Sequence, residues 1–88
     1  MEFEFDPAKS QANKVKHGID FQEAQGLWLT GDYIEFPVFS KNEPRTVRIA
    51  PLEDKLWLCV FTMRGEKIRL ISVRHVRPAE RKLYEQNH

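Results

Sequence analysis

The run Leu56 to Met63, LWLCVFTM, constrains this chain more than any other stretch. It is almost wholly apolar, which is how a strand reads when it sits in the middle of a sheet and is covered on both faces. It is far too short to cross a membrane. Pro51 to Lys55 precedes it as a turn, and Arg64-Gly65-Glu66-Lys67 follows it as a hairpin connection. The rest of the chain must therefore supply that strand with partners and cover.

The other segments read in order. Glu2 to Phe5 alternates polar and apolar, a short strand. Asp6 before Pro7 is a helix start, with an N-cap acceptor and proline at the first helical position. That helix runs to His17, with Gly18 as its left-handed C-cap. Ala8, Ala12 and Val15 give it a thin apolar stripe. Asp20 and Glu23 have capping-box spacing and open a second helix, with Phe21, Ala24, Leu27 and Trp28 inward, Ile19 stapled against Ala24, and Gly31-Asp32 at its end. Tyr33 to Phe39 is strand-like, and Pro37 places it at an edge or a bulge. Ser40 to Pro44 is a polar loop. Arg45 to Ala50 alternates, putting Val47 and Ile49 together and Arg45 and Arg48 near solvent. Ile68 to Val76 is a further strand, and Pro78 begins a last helix with Ala79, Leu83 and Tyr84 inward. The expectation is one α+β domain over residues 1–88, an antiparallel β-sheet with helices packed on one face, in the order β-α-α-β-β-β-β-α.

Charge is segregated. Arg64 to Lys82 holds seven cations (Arg64, Lys67, Arg69, Arg74, Arg77, Arg81, Lys82) against Glu66 and Glu80, while the whole chain carries +1. Guanidinium groups on rigid strands suit a phosphodiester backbone and the charge that develops when it is cleaved. Arg69 and Arg74, five apart, fall on opposite faces of an unbroken strand. They also read as strand arginines that protect a sheet. His75 between cations is a candidate general base, or an exposed histidine at a strand end. His17, in the last helical turn, reads as a partner of the helix dipole. The single cysteine, Cys59, lies in the apolar run and reads as core, and His17, His75 and His88 are too far apart for metal-ligand spacing. The acidic start MEFEFD lacks the basic opening of a signal peptide. A cytoplasmic protein is expected.

No phosphate loop, Ser-His-Asp order or paired-carboxylate spacing stands out. An enzyme with this inventory relies on arginine, lysine, histidine and tyrosine. RNA cleavage is open to such a set, because the 2′-hydroxyl is an internal nucleophile and no metal or other cofactor is required.

Two segments carry a resemblance. KVKHGIDFQEA (Lys14 to Ala24) and RGEKIRLISVRHVRPAERKLYE (Arg64 to Glu85) closely resemble the BrnT toxins of type II toxin–antitoxin systems. Asp6, Lys9, Asn13, Lys16, His17 and Gly18 also fit the family's D-x-x-K…N…KHG opening. Near the end the family pattern I-S-A-R-x-A stands here as Ile71, Ser72, Val73, Arg74, His75, Val76, with valine in place of both alanines. The resemblance implies a RelE-like ribonuclease fold with an open cationic face, cleavage of RNA that halts growth, and neutralisation by a cognate BrnA-like antitoxin that carries the operator-DNA contacts. It places the functional arginines at Arg64 and Arg74, with His75 beside them. Lys67, Arg69, Arg77, Arg81 and Tyr84 are the candidate RNA-binding residues. The alternative is a catalytically weak module that binds the antitoxin and assists repression of the operon. A sequence-specific DNA binder is a weaker reading, since no helix-turn-helix pattern is present. No membrane partner is expected.

Overall fold

A computed structural model of the chain describes residues 1–41 and 43–87. Asn42, in the loop expected over 40–44, and His88 lie outside them. The elements are β1 (Glu2–Glu4), α1 (Pro7–His17), a 3-10 helix (Glu23–Trp28), β2 (Ile34–Ser40), β3 (Glu43–Leu52), β4 (Lys55–Arg64), β5 (Lys67–His75) and α2 (Pro78–Asn87). They form one five-stranded sheet in the order β1-β5-β4-β3-β2.

The apolar run forms β4 at the centre of the sheet, flanked by β3 and β5. Strands β2 to β5 form the expected antiparallel meander, but the sheet is mixed, because β1 pairs with β5 in parallel. β2 is an edge strand, so Pro37 interrupts no inner ladder. The hairpins turn where the backbone can: Glu53 and Asp54 both have positive φ between β3 and β4, and Gly65 (φ 61°) does so between β4 and β5.

The helices do not share a face. Trp57, Cys59 and Phe61 of β4 point to one side, called the front, and pack with Ile19, Phe21, Ala24 and Leu27 from the α1 and 3-10 region. Leu56 and Leu58 point to the back and pack with Val47, Ile49 and Tyr84 of α2. An inner strand that is apolar on both faces needs cover on both. The last helix supplies it where the chain expected all helices on one side.

The second segment is a 3-10 turn rather than an α-helix. Its capping box is present: Glu23 N–H donates to Asp20 Oδ1 at 2.7 Å, and Asp20 N–H donates to Glu23 Oε1 at 2.9 Å. Lys14 also holds Glu23, at 2.8 Å. Gly26 packs so closely on Leu52 that a β-carbon there would stand 2.9 Å from its Cδ1, and the tight 3-10 backbone lies flat on the sheet.

α1 begins and ends where the sequence expects. Asp6 Oδ1 accepts from Ala8 N–H at 2.8 Å, and Gly18 closes the helix at φ 84°. Its inward face is not the alanine–valine stripe, since Val15 is 81% exposed and Ala8 and Ala12 are exposed too. Ser10 and Asn13 are the buried residues. β1 covers β5 only over Lys67 to Arg69. Beyond it, Asn13 takes the place of a strand: its side-chain oxygen accepts Val73 N–H at 3.2 Å, and its amide nitrogen donates to Val73 C=O at 2.9 Å and to Ile19 C=O at 2.8 Å. Ser10 Oγ accepts Phe21 N–H at 2.9 Å. Polar residues face inward here because an uncovered strand edge must be satisfied before it can be buried.

Asn13→Ala strands three buried backbone groups. A loss of about 2–4 kcal/mol is expected, read as a melting temperature lower by roughly 10 °C or more in a domain of this size. An unchanged melting temperature would refute this role for Asn13.

Candidate nucleic-acid interface

α2 covers only part of the back of the sheet. Where it stops, the back face carries the half-buried Phe36, Val38 and Val60, rimmed by cations from three strands. Their placement follows from register. Arg64 pairs with Lys67, and Thr62 with Arg69, which itself pairs with Glu4 of β1. Arg74 pairs with Leu58 and Ser72 with Val60, both back-facing. Arg45 pairs with Val38.

Arg69 and Arg74 therefore lie on one face, not two. A bulge explains the difference: Phe61 pairs with Leu70 but Val60 with Ser72, so Ile71 is an extra residue in β5. One inserted residue flips the alternation of everything after it. It turns Ser72 and Arg74 to the back with Arg69 and leaves Val73 in the front core.

The arginines are held by the chain's own carboxylates. Arg64 Nη1 lies 3.3 Å and Arg69 Nη1 3.0 Å from the same oxygen, Glu4 Oε2. The hydrogen bond from Arg69, with Arg64 adding to it, keeps the Glu4 carboxyl below the usual carboxylate range. Arg74 grips Glu80 with two parallel bonds, Nη1 to Oε1 at 2.9 Å and Nη2 to Oε2 at 2.8 Å, and also donates to His75 C=O at 3.1 Å. Glu80 Oε1 accepts Arg77 N–H at 2.8 Å as well, so the acid that orients Arg74 also caps α2. This pairing raises the Arg74 pKa and lowers that of Glu80. Arg45 donates to Glu43 at 3.2 Å.

The candidate residues thus fall into three groups. Arg64, Lys67 and Arg69 meet at the open end of the back face, and Arg74 sits where that face meets α2. Arg77 and Arg81 are exposed at the start of α2. His75 and Tyr84 do not join them. His75 follows Arg74 by one residue, so it points to the front, where it stacks on Trp57 with ring centroids 4.1 Å apart. Tyr84 is 8% exposed and its hydroxyl donates to Asp32 C=O at 2.9 Å, so its ring fills the back core and offers no face to a base.

Arg45, which the sequence pattern does not single out as a site residue, belongs to the same face. Its alternation with Val47 and Ile49 was the available signal. Its companion Arg48, expected near solvent, is 6% exposed on the front. There it pairs with Glu35 at 2.9 Å, donates to Leu27 C=O at 3.3 Å, and lies 3.8 Å from the Tyr33 ring centroid and 4.5 Å from that of Trp28. It is a structural arginine that ties β3 to the 3-10 turn. Cys59 is buried beside it, and burial pushes its thiol up, away from the reactive thiolate.

The site is thus an arginine-rimmed sheet face with an apolar floor on a small α+β protein, and its guanidinium groups have the geometry to pair with carboxylate or phosphate. Residues 5–80 match the family described as the ribonuclease toxin BrnT of type II toxin–antitoxin systems, and the chain belongs to that family. A cognate antitoxin partner follows from that membership. No curated protein matches the chain. Among the described residues, no helix is long and apolar enough to cross a membrane.

The depressed carboxyls set a pH dependence. Glu4, Glu23 and Glu80 all titrate below their ordinary range, held down chiefly by Arg69, Lys14 and Arg74 respectively. Groups whose folded pKa is lowered stabilise fully above their unfolded value and lose that contribution as pH falls through the folded one. The melting temperature should be nearly flat from about pH 8 to 5 and fall below about pH 4. Glu80→Gln should make the acid fall shallower; an acid limb of unchanged steepness would contradict the assignment.

Proposed function

We propose that this chain is a metal-independent endoribonuclease whose RNA lies on the open back face of the sheet, within a RelE-like framework. The observation that carries this reading is the convergence of Arg64 and Arg69 on one carboxylate oxygen. Two guanidinium groups aimed at a single anionic atom are arranged for a phosphate oxygen, which would take the place of Glu4 Oε2. In the reaction the 2′-oxygen attacks the adjacent phosphorus, the bond to the 5′-oxygen breaks, and the proton of the 2′-hydroxyl ends on the departing 5′-oxygen. Negative charge builds on the non-bridging oxygens, and fixed guanidinium groups lower that barrier. Arg74, oriented by Glu80, stands at the α2 end of the same face. Such cleavage arrests growth by removing translatable RNA. The cognate antitoxin restrains it by covering the arginines, and the complex represses its own operon through the antitoxin's DNA-binding part.

The second reading, a catalytically weak module that serves antitoxin binding and operon repression, draws support from His75. It lies on the opposite face, so its imidazole does not stand beside the arginines.

Purified protein should cleave single-stranded RNA in the presence of EDTA and leave 2′,3′-cyclic phosphate ends. Arg64→Ala and Arg69→Ala should each lower the rate, by about 10²-fold for a contact made to the transition state. Exposed ion pairs are worth little, so both variants should melt within a few degrees of the parent. Activity that required added magnesium, or full activity in both variants, would defeat the proposal. A folded wild-type chain that binds antitoxin but never cuts RNA would favour the module.

A blocking antitoxin segment should be rich in Asp and Glu, with apolar anchors for the Phe36, Val38 and Val60 floor. Its binding should raise the melting temperature, because it stabilises only the folded state. Cross-links confined to the front face and leaving Arg64 reactive would rule out blocking of this kind.

A further inference from the structure

A groove of about 270 Å³ runs between α1 and the outer edge of β5, and its lining includes Lys9, Asn13, Lys16, His17, Ile71 and Ser72. Lys9, Asn13, Lys16 and His17 are spaced i, i+4, i+7 and i+8, so they share one face of α1. Asn13 is fixed to Val73, and that bond turns the same face toward β5. Among the described residues neither lysine forms an ion pair, in contrast to Arg64, Arg69 and Arg74. Among the described residues, no acid lines the groove.

The bulge joins this groove to the arginine face. Ser72 lines the groove, yet it pairs with Val60 and so belongs to the back of the sheet, one strand repeat (about 6.6 Å) from Arg74. A chain lying over Arg69 and Ser72 can pass around the β5 edge, where β1 no longer covers it, and continue between the two lysines. Their Cα atoms are separated by about 10 Å along the helix.

We propose that this groove is a second phosphate subsite, in which Lys9, Lys16 and the Ser72 hydroxyl hold the backbone of the same RNA strand beyond the arginines. The inference rests on the ribonuclease reading and extends it. The chemistry of the groove favours a thin, uniformly anionic chain over an acidic peptide. It offers two ammonium groups, an imidazole and a hydroxyl around a small apolar base of Ala12 and Ile71, while the broader apolar floor a peptide would anchor on lies at Phe36, Val38 and Val60.

The test is binding of a fully 2′-O-methylated oligoribonucleotide, which lacks the internal nucleophile, followed by fluorescence anisotropy across a salt series. Each lost phosphate contact on a single strand lowers the slope of log affinity against log salt by about 0.7. Lys9→Gln with Lys16→Gln should weaken binding roughly tenfold at low salt and reduce the slope by about 1.4. Lys9→Arg with Lys16→Arg should restore both. Lys14→Gln with Lys55→Gln removes the same charge away from the groove and should leave the slope unchanged. All four lysines are exposed, and the one ion pair lost, Lys14 with Glu23, is a surface pair worth little, so the variants should fold. An unaltered slope in the Lys9/Lys16 variant, with Arg64→Ala still lowering it, overturns the subsite and leaves the ribonuclease reading intact. Loss of antitoxin binding without loss of RNA binding overturns it in favour of a protein interface. A wild-type chain that binds no RNA overturns both proposals.

Discussion

The side chain of Asn13 does the work of a missing strand. β1 is three residues long and leaves most of the β5 edge uncovered. An exposed edge of that kind invites pairing with another chain, and a buried one requires every N–H and C=O to find a partner. A single carboxamide meets both demands at Val73 and ties Ile19 into the same node. α1 is therefore positioned by hydrogen bonds rather than by apolar packing, and its Lys9 and Lys16 line the groove beside β5. Directional bonds also fix the rotation of the helix about its axis, which a thin stripe of alanines would not do.

This is also where sequence reasoning reached its limit. Periodicity sees hydrophobicity, so it assigned the inward face of α1 to Ala8, Ala12 and Val15, and it assigned Arg48 to solvent. Both errors have one cause. A polar residue can be buried wherever its partners are buried with it, and those partners lie far along the chain: Val73 is 60 residues from Asn13, and Leu27 is 21 from Arg48. Signals that act over a few residues were legible. The Asp6-Pro7 start, the Gly18 cap, the Asp20/Glu23 box and the apolar inner strand stand as read. The capping box could not reveal that a 3-10 turn would follow it, because that depends on how closely Gly26 meets Leu52.

The candidate site divides in the same way. The cationic segment and its arginines were plain in the sequence, but their common face was not. Strict alternation sends Arg69 and Arg74 apart, and only the extra residue at Ile71 reunites them. A bulge is a property of two paired strands, invisible in either alone. Without it Ser72 and Arg74 would turn to the front, Val73 would leave the core, and Arg74 would be out of reach of Glu80. His75 shows the converse. Its place beside two arginines in sequence implied a shared site, and one-residue alternation was enough to send it to Trp57.

The arginine face carries its own anions, and this shapes what can bind there. Glu4 and Glu80 satisfy the guanidinium groups in the free protein and hold them in fixed orientations, so little side-chain freedom remains to be lost when a ligand arrives. The exchange is uphill by little, because water screens part-exposed ion pairs and each contributes little. A lone small anion gains too little to displace Glu4. On the proposed reading a polyanion differs: a first contact with Lys9 and Lys16 would raise the local concentration of the next phosphate at the arginines. An antitoxin segment of the proposed kind would meet the same barrier by another route, pairing acidic side chains with apolar anchors for Phe36, Val38 and Val60. A face neutralised by its own carboxylates would therefore discriminate by ligand length and chemistry rather than by charge alone, with the proposed groove lysines setting which polyanion begins the exchange.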